Sequence, residues 1–320
     1  MKKATKIWLI AATSLVVLGL ITFVVAMTVN HWDFKKLSTA TFETNTYEVS
    51  EGFNNIAMKT KTAEIFFAVS DDGRCRVDCY EAEKEKHSVT VENSTLTINI
   101  VEERKWYDYI GITIGNPKIT VYLPETEYTS LFINESTGDI EIPENFKFQN
   151  IDIALSTGNV VNYASVLESL KIKTSTGAVR VEGISANTLD ISASTGSVTV
   201  SDVTCAGDVK INVSTGKTSI TDIKCKNIIT SGSTGCISLK NVIVSGKLSV
   251  ERSTGSVKFD GSDAAEIRVQ TSTGSVMGSL LTEKVFITQT DTGIVDVPKT
   301  ITGGKCEITT NTGDIIIKID

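Results

Sequence analysis

Proline is scarce in this 320-residue chain, with four residues, about 1% against a usual ~5%. Histidine occurs twice, and aromatic residues make up 7%. The 41% hydrophobic content excludes a disordered tail, and the few prolines exclude a Pro-rich stalk. The formal charge is −7 and no dense Lys/Arg run occurs, so nucleic acid is not expected as a partner. There is no HExxH, P-loop, GxGxxG or CxxC, and no aspartate-bearing Gly-rich nonapeptide for calcium. No catalytic, cofactor-binding or metal site is therefore expected. His31 follows the apolar segment and His87 ends the charged stretch 83–87, so both are expected in solvent.

One apolar run stands out. Residues 7–29, opening on Ile7 and closing on Val29, contain no charged side chain. As a helix they reach about 34 Å, enough for a ~30 Å hydrocarbon layer. The apolar part of a cleaved signal peptide is shorter, ~7–15 residues, so an uncleaved single-pass signal anchor is expected. Lys2, Lys3 and Lys6 precede it and favour an amino terminus (1–6) in the cytoplasm, although Lys35 and Lys36 follow closely. A juxtamembrane linker (30–46) then leads to an extracytoplasmic remainder.

The rest of the chain repeats. Thr-Gly recurs every 19 or 20 residues, at Thr137-Gly138, Thr157-Gly158, Thr176-Gly177, Thr195-Gly196, Thr215-Gly216, Thr234-Gly235, Thr254-Gly255, Thr273-Gly274, Thr292-Gly293 and Thr312-Gly313. Apolar residues stand seven and five before most glycines, as Leu189 and Ile191 do before Gly196, and two and four after, as Val198 and Val200 do. Each unit thus reads as strand, turn, strand, with one apolar face per strand. Such a unit cannot bury its face alone, whereas copies stacked at ~4.8 Å fill one core. The fold class expected is all-β: a single-stranded, right-handed parallel β-solenoid of about ten rungs over 131–320. Propeller blades need ~40–50 residues, and no doubled period is visible. The Thr-Gly pairs are expected to be structural turns, because glycine permits a left-handed backbone or a close approach from the next rung.

The flanks are less regular. Ala63 replaces glycine in a degenerate first rung, and 47–130 is expected to form a β-cap. At the other end the chain stops inside the apolar strand 315–320, which implies an exposed edge held off only by Lys318 and Asp320. Cys306 takes an inward position and is expected to be a buried hydrophobe. Cys205 and Cys225 each lie nine after a glycine, one above the other, and are the candidate disulfide. Thr174/Thr176, Thr271/Thr273, Thr290/Thr292 and Thr310/Thr312 suggest a flat lattice-binding face, but Ala193, Val213, Gly232 and Arg252 interrupt it.

The segments 118–124 (KITVYLP), 131–140 (LFINESTGDI) and 171–181 (KIKTSTGAVRV), together with the amino-terminal span, resemble the bacterial β-strand-repeat family of "putative adhesins", a domain of unknown function. The likeness covers about 47–320. It implies an envelope protein and supplies no catalytic or ligand residues. The expected function is a non-enzymatic, membrane-tethered rod in contact with a surface or envelope protein or glycan. The alternative is an accessory sensor of envelope stress that binds a membrane protein. A carbohydrate-active enzyme is a third reading, disfavoured because the near-constant period leaves no loops to wall a cleft.

Overall fold

The computed structural model describes residues 3–106 and 113–320. Met1 and Lys2, the latter one of the lysines assigned to the cytoplasmic end, lie outside the described residues, as do 107–112 of the expected cap. A long helix, α1 (Lys3–Val29), begins four residues before the apolar run and takes in Lys3 and Lys6. Its 27 residues reach about 40 Å. The most apolar window has a mean hydropathy of 2.6 and is wholly exposed, so by length and composition α1 can cross a membrane. Met27, near its end, is buried. The helix stops where His31 and Trp32 turn left-handed, with φ of 53° and 59°.

From 55 onward the chain winds as a β-solenoid of about ten turns. The columns read from the sequence are those of the structure. Leu170, Leu189 and Val209 are in register, as are Ile172, Ile191 and Ile211, and all six are buried. Asp190 lies in register between Lys171 and Lys210 on the outer face. A second bend comes six residues after the glycine, where Gly183, Asp202, Asp222, Asn241 and Gly261 all have φ between 52° and 69°. Glycine and short polar side chains tolerate that region best. The next residue points inward at Ile184, Val203, Ile223 and Val242. Leu281 departs from this pattern and is exposed, because Leu280 fills the position across from Ser262 instead.

Among the described residues the amino-terminal end is built from seven strands, β1 (Phe42–Val49), β2 (Asn55–Lys59), β3 (Glu64–Val69), β4 (Cys75–Ala82), β5 (Glu85–Glu92), β6 (Thr95–Glu102) and β7 (Lys118–Leu123). β2 and β3 flank Ala63 and stack directly on the coil of Gly138. β6 and β7 lie parallel on their other side. There the direction reverses: β5 pairs antiparallel with β6, β4 with β7, and β1 with β4. Antiparallel layers turn the growing edge back on itself, so parallel stacking ends at this level.

The opposite end differs from the sequence expectation. The strands Gly304–Thr312 and Ile315–Ile319 do not form an outer edge. They are inserted between the coil of Gly274 and the coil of Gly293. Gly274 N–H donates to Thr312 O, and Gly313 N–H donates to Thr292 O, both at 2.9 Å. The terminal layer is therefore Lys284–Thr292 with Val295–Asp296. Burial explains the order. Cys306, Ile308, Ile315 and Ile317 are enclosed on both sides, whereas the Gly293 coil offers threonines at 288 and 290 and leaves Ile287, Ile294 and Val295 exposed. Placing the more apolar inward set inside removes more apolar surface from water. The crossing needs the consecutive glycines Gly303 and Gly304. A Cβ on either would overlap a carbonyl oxygen, that of Glu283 and that of Ala265 respectively.

Candidate functional site

The Thr-Gly pairs form the longest regular feature on the surface. Thr62, then Thr137, Thr157, Thr176, Thr195, Thr215, Thr234, Thr254, Thr273, Thr312 and Thr292 follow one another in register, and all are exposed. The ten paired glycines have φ between 130° and 155°. At Gly196 a Cβ would overlap the carbonyl oxygen of Gly177 in the adjacent coil. The residue before each threonine also faces out, so the strand's alternation is broken at this corner.

Alternation holds up to three residues before the glycine, and that position points inward. Thr174, Thr271 and Thr310 are buried there while Thr176, Thr273 and Thr312 are exposed, so the Thr-x-Thr pairs present no flat double column. The same inward column holds two charged residues. Glu135 accepts a hydrogen bond from Ala63 N–H at 3.1 Å through Oε1, while Oε2 is buried without a partner. Burial pushes its carboxyl up to about 8. Arg252 donates through Nη1 to Val213 O at 2.6 Å and through Nη2 to Thr218 Oγ1 at 2.9 Å. Gly232, its neighbour in the column, gives the guanidinium room.

All six cysteines are free thiols. Cys205 and Cys225 occupy adjacent coils, but the expected bridge is not formed, and Cys205 Sγ instead donates to Asn187 O at 3.0 Å. Stacked side chains in a parallel ladder point the same way at ~4.8 Å, whereas a disulfide needs its Cβ atoms within ~3.5–4.5 Å. Cys306 is fully buried, and desolvation pushes its thiol up to about 12.

The cap holds a constellation that the sequence reading places in solvent. His87 is buried on β5, next to the fully buried Glu81 of β4, and the turn between these strands is only 83–84. Glu81 Oε2 lies 2.6 Å from His87 Nδ1 and accepts the His87 backbone N–H at 2.7 Å. Asn45 of β1 donates to Oε1 at 2.7 Å, and Tyr47 donates to His87 O at 2.7 Å. Cys79 completes the group, its thiol pushed up to about 12 chiefly by burial, then by the charges of Glu81 and Asp78. A protonated, enclosed thiol has neither the thiolate nor the access that a nucleophile needs. Nearby, an open groove of about 650 Å³ is lined by Glu48, Phe53, Arg74, Cys75 and Tyr128. Burial raises both the thiol and the phenol there, so neither titrates near neutrality.

The outer charges of the rod are tied along and between coils. Lys171 reaches Asp152 at 3.1 Å, Lys247 reaches Glu266 at 2.9 Å, and Lys305 reaches Glu307 at 2.7 Å. Exposed pairs of this kind contribute little, ~0–1 kcal/mol each.

No curated protein matches the chain. It is similar to solved structures of "putative adhesins" from Bacteroides fragilis (16% identity over 87% of this chain and 97% of the other, TM-score 0.42) and Parabacteroides distasonis (12%, 86% and 98%, TM-score 0.49). A third, from Parabacteroides merdae, shares 14% identity over 75% of this chain and 97% of that one, with a TM-score of 0.46. The sequence pattern of one family matches residues 53–213 and again 204–320, nearly all of the coil and cap. The chain belongs to the Toastrack DUF4097 family.

Proposed function

We propose that the chain is an uncleaved single-pass envelope protein, amino end in the cytoplasm, whose solenoid acts without catalysis as a contact surface for another surface or envelope component. The unbroken column of exposed threonines from Thr62 to Thr292 carries this reading. A partner with its own repeat, protein or glycan, can engage several identical hydroxyl-bearing corners at once. Weak contacts linked in this way gain effective concentration without any single deep site. The tether is α1, and the reversed strands β1, β4 and β5 lie at the rod end where the chain leaves it.

Crosslinking in intact cells followed by pull-down tests the proposal. Loss of attachment on deletion, with recovery of surface or envelope material through the coils, supports it. Recovery of one stoichiometric membrane protein, with attachment unchanged on deletion, replaces it with an accessory of envelope-stress signalling.

A further inference from the structure

Cys79, Glu81 and His87 have no part in the rod surface, yet they are among the most enclosed polar groups of the cap. One sulfur, one carboxylate oxygen and one imidazole nitrogen lie within 4.8 Å of one another. Their exposures are 0%, 0% and 5%. Glu81 is fixed by Asn45, by the backbone of His87 and by its ring. His87 Nε2, in contrast, is buried with no hydrogen-bond partner. An orphan polar atom in such a position is costly and is uncommon in folded proteins. Glu81 meets the Nδ1 edge of the ring and not the orphan Nε2, so an ion held by all three residues takes the place of the Nδ1–Oε2 contact, with Nδ1, a carboxylate oxygen and the Cys79 sulfur as donors.

We infer that Cys79, Glu81 and His87 form a site for one divalent cation of the zinc type. The donor set decides the class. A thiol, an imidazole and a carboxylate suit a borderline-soft cation, whereas calcium and magnesium take oxygen ligands. Charge agrees. A dication with one thiolate, one carboxylate and a neutral imidazole sums to zero, so the assembled group avoids the cost of an unpaired buried charge. Binding replaces the Cys79 S–H bond by a sulfur–metal bond, and the proton leaves to solvent. The site is closed, so its role is structural: it ties β4 to β5 and, through Asn45, to β1, the first strand after the membrane helix.

The test uses the full chain in detergent, with the exposed Cys236 changed to serine and metal stripped by EDTA. Zn2+ is titrated against a chromophoric chelator, and Co2+ is followed by absorption. The expected result is one Zn2+ per chain, a raised melting temperature and a thiolate-to-cobalt charge-transfer band. Cys79→Ser removes the band, and His87→Gln weakens Zn2+ binding at least roughly tenfold. Melts without metal show whether either variant still folds. Should either unfold, the parent chain decides alone: no band and no uptake of equimolar Zn2+ overturns the inference. Undiminished binding in variants that melt cooperatively overturns it too, because the ion then sits elsewhere.

Discussion

Glu135 gives the rod a pH dependence that can be worked out in advance. Its carboxyl titrates at 4.5 in the open chain, and burial pushes it up to about 8 in the fold. Below ~4.5 the group is protonated whether the chain is folded or not, and it adds no pH dependence. As pH rises from there to about 8, the unfolded chain ionises and the folded one does not, so stability falls. Above about 8 the fold carries the anion and the loss levels off. At ~1.4 kcal/mol per pH unit this gap sets a ceiling of roughly 5 kcal/mol. The Ala63 and Thr137 backbone donors already hold it below where burial alone would put it, so the net loss is on the order of 5 kcal/mol at most. Glu135→Gln keeps the shape and cannot ionise. Denaturant midpoints of the full chain and the variant, measured from about pH 4.5 to 9, should diverge with rising pH in favour of the glutamine. A difference that does not change with pH refutes the buried neutral carboxyl. If the parent chain instead gains on the variant as pH rises, Glu135 is an anion with a partner.

Leu189→Ala should cost ~2–5 kcal/mol, because neighbouring coils cannot collapse into the space, while Asp190→Ala stays within about 0.5 kcal/mol; a larger loss for Asp190→Ala in chemical denaturation would reverse the faces. Gly196→Val should cost more than ~2 kcal/mol, since its side chain meets the Gly177 carbonyl and φ is 150°; an unchanged melting temperature would remove the steric argument. Removing 304–320 should bare the Gly274 coil and unseat the Gly293 coil together, so limited proteolysis should cut within 284–297; resistance there would show that the insertion is not needed. Protease added to intact cells or spheroplasts should degrade the coils and spare a short fragment containing 7–29, and release of a soluble mature chain would contradict the anchor.

The inward columns could be read from the sequence because period-two alternation and a fixed 19–20-residue spacing say the same thing at Leu189, Ile191, Val198 and Val200. The order of the last coils could not. Every coil carries the same backbone pattern, so pairing rules alone permit Gly293 or Gly313 on Gly274, and the difference in inward apolarity between Ile308 and Thr288 decides. The cap cluster was within reach. Cys75, Val77, Cys79 and Glu81 alternate strictly, which puts Glu81 on the face of the buried valine, yet the charge of 83–87 suggests a long solvated turn where the structure has two residues. Glu135 and Arg252 were hidden for a related reason: alternation sends the third residue before glycine inward, but its varied chemistry resembles a surface position.

Along most of the rod, the order in which coils are synthesised is the order in which they stack, so each can add to a finished edge. That correspondence ends at Gly274. The coil of Gly293 emerges next but has no final seat until the strands around Gly313 have entered beneath it. If it docks early it must lift off again, and a chain halted between the two keeps an open slot lined by the Gly274 coil. Assembly of this end is thus a closure step: until 304–319 arrives, the nascent rod exposes an unpaired edge of the kind that invites aggregation and quality-control proteases.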